Sequence, residues 1–389
     1  MFLLDIKKSA IFLILLSGLI SSLLGTVNVG PATLHFYIVL INFIACLFFI
    51  INLKKIKIFS FILPIFFLLF YNFIIFDGVF GLLENLYILS AFIFFVLGVS
   101  LFYSDDYFLF IKKIINYFII FISIFCLMFF LGLDVDLDTR WSSIFIAVIS
   151  LCGLVLSKEN FLIKSLSIFL LFFVLFSGSR GVLLALIISY FFVSILFKYK
   201  IRYSIPFFLL ILFIFYIFIE RFLGFIFSID IIRDRTFYDG VYDYSKIINF
   251  EFDSSGRDIA WPLYWNGIIG RIGEFSFLIG SGAGSISEFG VDKLGASWEH
   301  PHNEIIRVIY DYGLLGLIFF IIFWISLINK ILKVKQIYLK KISLILVVFM
   351  FVIMLTDNPL MYPLYFGNLL MFILGITCSS LYRENKVEI

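Results

Sequence analysis

The sequence predicts an all-α polytopic membrane protein, and three observations support this fold class. The 389 residues are 63% apolar and only 14% charged, with a mean hydropathy of +1.15, which excludes a soluble globular domain. Several apolar runs reach the roughly 20 residues that a helix needs to cross about 30 Å of hydrocarbon. The basic residues are unevenly divided among the polar breaks that separate these runs, which is typical of membrane-spanning chains.

The apolar runs predict twelve transmembrane helices, centred near residues 18, 43, 66, 93, 122, 149, 169, 190, 211, 319, 348 and 371. We expect helices 1–9 within residues 1–220, one large loop with short helices over 221–303, and helices 10–12 within 304–389. The first run follows Lys7 and Lys8 but has no small-residue cleavage site, so we expect it to remain as a span.

Lysine and arginine indicate the orientation. With both termini in the cytoplasm, 19 of the 29 basic residues lie in inner segments, and the short outer loops hold only Arg140 and Arg180. The large loop is then extracytoplasmic. Of the 19 lysines 17 lie inside, whereas eight of the ten arginines lie outside. A guanidinium binds phosphate bidentately and keeps its charge, so the set predicts a phosphate-bearing ligand, although pairing with outer carboxylates is the alternative for each arginine.

Other features exclude whole classes of function. The four cysteines fall singly in four different apolar runs, which provides neither a disulfide framework nor a metal spacing. The net charge of +3 is too small to predict nucleic-acid binding.

Two arginines, Arg180 and Arg257, lie where helices are expected to begin on the outer side of the membrane. Ser179-Arg180-Gly181 belongs to the polar turn between helices 7 and 8, so Arg180 lies near the outer interface or inside the bundle, where an arginine usually has a partner or a function. Ser255 and Asp258 resemble a capping box that places Arg257 in the first turn of a loop helix, where backbone amides and the helix dipole suit a phosphate. The alternatives are a snorkelling arginine and an ordinary surface arginine.

The segment 280–285 reads Gly-Ser-Gly-Ala-Gly-Ser and is expected to form a turn. Such a turn either forms an anion-binding nest or serves only as structure, and it lacks the Lys-Ser/Thr ending of a P-loop.

Two of the three histidines, His300 and His302, lie where the large loop meets helix 10. A neutral imidazole can take the proton of an attacking sugar hydroxyl, because its ordinary pKa lies near neutrality. The pair can instead bind a metal with Glu299, Glu304 and the aspartates of segment 134–138, or it can be structural.

In this order the motifs resemble the bacterial O-antigen ligase/polymerase superfamily of membrane glycosyltransferases. The resemblance covers roughly residues 140–330 and lies in Ser179-Arg180-Gly181, in Gly256-Arg257 with Trp261, in the turn 280–284, and in His302-Asn303-Glu304 before Gly313 and Gly316. It implies about a dozen helices with one large periplasmic loop in a GT-C-like fold, in the bacterial inner membrane.

The resemblance also implies a reaction. A glycan linked to undecaprenyl pyrophosphate is moved, with inversion, onto an acceptor glycolipid without metal, cofactor or nucleotide sugar, and a chain-length regulator is a candidate partner. Carried over, His302 is the base and Arg180 and Arg257 bind the pyrophosphate. His300 is the alternative base. The further candidates for substrate binding are His300, Asn303, Glu304, Arg140, Arg271 and Gly282.

Three activities remain in competition. We favour an O-antigen polymerase, because the Ser-Arg-Gly and Gly-Arg forms resemble polymerases, over a ligase that joins the glycan to the lipid A core. A lipid-linked sugar flippase is the third reading. It requires charged groups along a central cavity, whereas Arg180 is the only basic residue expected near membrane depth.

Overall fold

The computed structural model describes residues 32–51, 78–100, 105–131, 139–156, 160–176, 179–198, 257–294, 300–361 and 367–387, and before these residues 9, 12–13, 16–17, 20 and 28–29. Nearly all of this part is helical, which confirms the predicted class. A short antiparallel pair, β1 (Asn28–Val29) and β2 (Ala32–Thr33), precedes the first helix.

The described part of the chain contains twelve α-helices. They are α1 (Leu34–Ile51), α2 (Gly78–Ser100), α3 (Asp105–Phe130), α4 (Thr139–Leu156), α5 (Phe161–Phe176), α6 (Arg180–Lys198), α7 (Arg257–Ile269), α8 (Phe275–Ile279), α9 (Ser285–Leu294), α10 (Glu304–Lys333), α11 (Ile337–Met354) and α12 (Asn368–Val387). A 3₁₀ turn (Pro359–Met361) separates α11 from α12.

Nine of the twelve predicted span centres fall within these helices. Five helices of the described part are long and apolar enough to cross a membrane, namely α2, α3, α6, α10 and α11, and four shorter apolar helices accompany them. The centres near 66 and 211 lie outside the described residues, and near 18 only residues 16–17 and 20 are described. The protein is therefore a multi-pass membrane protein, and the count of twelve stays a prediction.

Close approach of backbones joins α2 to α12. A Cβ on Gly98 would lie 2.5 Å from the carbonyl oxygen of Phe372, and a Cβ on Gly375 would collide with the carbonyl oxygen of Phe95. Apolar side chains gain little by leaving lipid for protein, so packing of small residues and hydrogen bonds hold such helices together. Here Ser90 on α2 donates a hydrogen bond of 3.1 Å to Asn368.

The three helices of the large loop pack on the first turns of α10. Their common core consists of Ala260, Tyr264, Ile268, Ile286, Ile306 and Tyr310. Burial, reinforced by Tyr310, raises the pKa of the Tyr264 phenol, so this ring stays neutral in the packed core. The loop is thus attached to the membrane bundle through α10.

Two glycines make this attachment possible. Gly313, with φ of 68°, interrupts α10, and Gly280, with φ of 87°, ends α8. A Cβ on either residue would collide with the backbone of the other segment, because Leu278–Gly280 lies directly against Asp311–Gly313. Ser281 and Gly282 complete the contact by donating backbone hydrogen bonds to the carbonyls of Tyr310 and Asp311.

Candidate active site

The structure brings several helix ends together on one side of the bundle. Ser287 on α9 donates a hydrogen bond of 2.6 Å to Glu84 near the start of α2. Ser143 near the start of α4 donates one of 2.8 Å to Ser179, which precedes α6. With strict alternation of the twelve predicted spans, we expect these same ends on the outer side, together with the start of α10 and the end of α11.

His302 lies at this junction, paired with a carboxylate from another helix end. Its Nδ1 is 3.2 Å from Oδ1 of Asp357, which follows α11. The two side chains are 27% and 26% exposed, so the pair is held by the protein and still reachable from outside. Held in this way, Nδ1 carries the proton toward the carboxylate and Nε2 carries the lone pair, a tautomer inferred from the hydrogen bond.

The backbone on both sides of His302 is fixed. The Pro301 carbonyl accepts a hydrogen bond of 2.9 Å from Nε1 of Trp261 on α7. Asn303 caps α10 by accepting from the amides of Ile305 and Ile306 at 3.0 and 3.1 Å. His302 itself has a φ of 49°, the one positive φ of a non-glycine residue in the described segments. Such a conformation costs of order 1–3 kcal/mol and persists where its surroundings enforce it.

Asn303 also connects the site to α11, because its Nδ2 donates to the Leu355 carbonyl at 3.4 Å. Its side chain is therefore used for capping and for this contact. The sequence-based expectation of substrate binding by Asn303 gains no support from that position.

Three predicted arginines, Arg140, Arg180 and Arg257, lie in the first turns of α4, α6 and α7. Arg180 is the first residue of α6, and a Cβ on the adjacent Gly181 would lie 2.7 Å from Oγ1 of Thr356, next to Asp357. Arg140 precedes Ser143 on α4 by one turn. Arg257 opens α7 as expected, one turn before the Trp261 that contacts Pro301. Each arginine thus stands within about one helical turn of a residue that frames the site.

Other predicted candidates are already engaged within the protein. The Arg271 guanidinium stacks on the Tyr310 ring at 3.6 Å from its centroid and donates to Ser281 Oγ and the Tyr310 carbonyl. The backbone amide of Gly282 donates a hydrogen bond to the Asp311 carbonyl. These contacts support the structural-turn interpretation of segment 280–285, one of the two that the sequence left open.

Glu304 belongs to a buried charge cluster. It accepts hydrogen bonds from Nε and Nη2 of Arg307, and Nη1 of the same arginine is 3.9 Å from Oδ2 of Asp311. All three side chains are fully buried. Ser285 and the amide of Ile286 donate to the other Asp311 oxygen at 3.1 and 3.0 Å. The sequence did not predict a fully buried arginine at the start of α10, where Arg307 lies.

The structure distinguishes the two histidines. His300 Nδ1 is 4.0 Å from Oε1 of Glu84 and makes no hydrogen bond. Its ring is therefore not oriented as the His302 ring is. Among the described residues no group of three or more His, Cys, Asp or Glu side chains is arranged to hold a metal ion, and the aspartates of segment 134–138 lie outside them.

Sequence reasoning missed Asp357 and Glu84. Asp357 belongs to Thr356-Asp357-Asn358-Pro359, the polar break between the last two spans, and alternation places that break on the same side as His302. This signal was present in the sequence. Glu84 is a single acid among apolar residues, and no local pattern connects it to the loop.

These features define a multi-pass helical membrane protein with a histidine–carboxylate pair where its large loop meets the bundle. Within that class, a family model described as O-Antigen ligase matches residues 165–321, a range that includes Arg180, Arg257 and His302. The match confirms the resemblance to the O-antigen ligase/polymerase superfamily, whose members are membrane enzymes of lipopolysaccharide biosynthesis. No curated protein matches the chain.

Proposed function

We propose that this protein moves a glycan from undecaprenyl pyrophosphate onto an acceptor sugar at the periplasmic face of the bacterial inner membrane, as an O-antigen polymerase. The observation that carries the proposal is the His302–Asp357 pair, a candidate base with one ring nitrogen held 3.2 Å from a carboxylate oxygen. The family match supports an enzyme of this general type.

The reaction needs one proton acceptor. As the acceptor hydroxyl attacks the anomeric carbon, its proton passes to Nε2 of His302, and the bond from that carbon to the pyrophosphate oxygen breaks on the opposite face. This in-line displacement inverts the anomeric centre. Asp357 positions the ring and favours the imidazolium that forms, a role that general base catalysis assigns to such a carboxylate.

The leaving group needs fixed positive charge. Undecaprenyl pyrophosphate departs with the bonding electron pair, and arginine forks placed at its oxygens stabilise this charge without rearrangement in the transition state. Arg180 at the start of α6 and Arg257 at the start of α7 are the proposed ligands, because both helix starts lie within a turn of residues that frame His302. With these cations no metal is required.

The first experiment is complementation of a strain in which the gene is deleted. His302→Ala should lower transfer by about 10²–10⁴-fold, the usual cost of losing a general base, while the protein still accumulates in the membrane. Asp357→Asn should also impair transfer. His300→Ala is the matched control, because it removes the neighbouring ring, whose Nδ1 makes no hydrogen bond. Normal polysaccharide with His302→Ala and loss with His300→Ala would reverse the assignment of the base.

The deletion strain itself separates polymerase from ligase. A polymerase that is lost leaves a single repeat unit attached to the lipid A core, whereas a ligase that is lost leaves no attached glycan. We expect the single unit. No attached glycan, with single lipid-linked units accumulating on the cytoplasmic side, would favour a flippase and contradict the proposed transfer.

A further inference from the structure

The loop exposes a row of large apolar side chains that no described residue covers. It runs from the end of α7 through the following turn to α8 and consists of Trp265, Ile269, Ile272, Phe275 and Leu278, here named the apolar ridge. Their exposed fractions are 40%, 56%, 63%, 70% and 45%. A patch of this kind on a folded surface marks an interaction site.

Helix α7 is apolar on two different faces. Ala260, Tyr264 and Ile268 follow one another at intervals of four and form the loop core against α10. Trp265 and Ile269, also four apart, lie on the exposed face. If α7 only covered the loop core, its exposed face would carry polar residues. Because that face is apolar instead, we expect it to contact an apolar environment.

The neighbouring helix provides the contrast. Three of the four exposed positions of α9 are charged, namely Glu288, Asp292 and Lys293, and only Val291 is apolar, which is the composition of a water-facing surface. The apolar ridge is therefore a property of α7 and α8 and not of the loop as a whole.

The position of α8 along α10 indicates what covers the ridge. The backbone of Leu278–Gly280 lies against Asp311–Gly313, where α10 is interrupted. Beyond this break, residues 314–333 form about 30 Å of helix, the thickness of the hydrocarbon layer, and end at Lys330 and Lys333. The break thus lies at the level where hydrocarbon meets headgroups.

The exposed surface continues from the ridge into the span. Leu315 and Ile318, just beyond the break, are 40% and 41% exposed on the lipid-facing side of α10. Tryptophan and other large apolar side chains at this depth are typical of segments that lie in the membrane interface.

We propose that the apolar ridge is inserted into the interface of the outer lipid leaflet, so that the large loop is anchored in the bilayer at α7–α8 as well as through α10. The proposal does not depend on the transferase activity. It assigns a lipid surface as the partner of this face, in place of a second protein or another part of the chain.

Spin labels in the full-length protein in liposomes test the proposal. Ile272→Cys and Phe275→Cys are labelled in a background in which the four native cysteines are replaced, and Asp292→Cys on α9 is the matched control. We expect the ridge labels to collide more often with oxygen, which concentrates in lipid, than with a water-soluble nickel chelate. The label at 292 should show the opposite preference.

Two other outcomes would overturn the proposal. Ridge labels that collide with the nickel chelate as often as the label at 292 face water. Ridge labels that are shielded from both reagents are covered by protein, either a second copy or residues of this chain outside the described part. Both ridge positions are strongly exposed, so cysteine is expected to be tolerated at each of them.

Discussion

Replacing Arg307 by methionine should destabilise the protein strongly. Three buried carboxylates interact with this one guanidinium, namely Glu304, Asp311 and Glu84. Removing one partner of a buried ion pair typically costs 3–5 kcal/mol, because the remaining charge stays in a low-dielectric interior. The fully buried side chains of Glu304 and Asp311 place this site in that regime. We therefore expect Arg307→Met to lose about 3–5 kcal/mol, a large fraction of the stability of an ordinary protein.

The loss can be measured on purified protein in detergent by denaturant titration and by thermal unfolding followed by tryptophan fluorescence. Lys293→Met is the control, because it removes an exposed cation in the last turn of α9 and should change stability by less than about 0.5 kcal/mol. Adding Glu304→Gln to Arg307→Met removes one of the stranded carboxylates and should recover part of the loss.

The opposite result would assign Arg307 a different role. If Arg307→Met unfolds like the unmodified protein but no longer transfers glycan, the guanidinium binds substrate and the buried cluster is not what holds the start of α10. The sequence, which shows eight arginines on the outer side, does not distinguish these roles. The complete burial of Arg307 favours the structural role.

The remaining predictions concern the loop contact, the anion site, the metal and the bundle. Gly280→Ala should lower the free energy of unfolding by more than about 1–2 kcal/mol, because it combines left-handed strain with a backbone collision. Gly273→Ala, at a φ of 98° and in open space, has the strain alone and is the control. Equal losses of stability for the two variants would contradict the contact. Arg180→Lys and Arg257→Lys should both impair transfer, because an ammonium does not reproduce a bidentate fork; full complementation by both would favour simple ion pairing. Purified protein in EDTA should retain transfer activity, and loss restored by Mn²⁺ or Mg²⁺ would overturn the metal-free reaction. Gly375→Leu should separate α2 from α12 and reduce accumulation in the membrane, and normal accumulation would show that the helices can move apart without cost.

The helical class and most helix positions were predictable, because apolar runs of membrane length carry their own signal. The starts of α6 at Arg180 and of α7 at Arg257 were also predicted, from a polar turn and from a capping pattern. These are local features, in which residues close in sequence determine the backbone.

The partners of the site were not predicted, since they come from distant segments. His302 and Asp357 are 55 residues apart, and Ser287 and Glu84 are 203 apart. Nothing in the composition of either segment specifies the other. The cluster of Glu304, Arg307 and Asp311 was within reach of sequence reasoning, because spacings of three and four place charges on one helix face. The burial of this cluster was not predictable from the sequence, because it depends on how α2 and α9 pack around α10.

Helix lengths set the heights of the proposed groups above the membrane. From Arg180 to Lys198, α6 is about 28 Å long, close to the hydrocarbon thickness, so we expect Arg180 at the outer edge of the hydrocarbon layer, next to the headgroups. In α10 the hydrocarbon segment begins after Gly313, and the segment from 304 to 313 raises His302 by at most about 14 Å above that edge. A lipid-linked pyrophosphate lies in the headgroup layer and its first sugar lies just outside it. In the proposed transfer, an arginine at the lower level suits the pyrophosphate that leaves, and a base at the upper level suits the acceptor sugar that attacks.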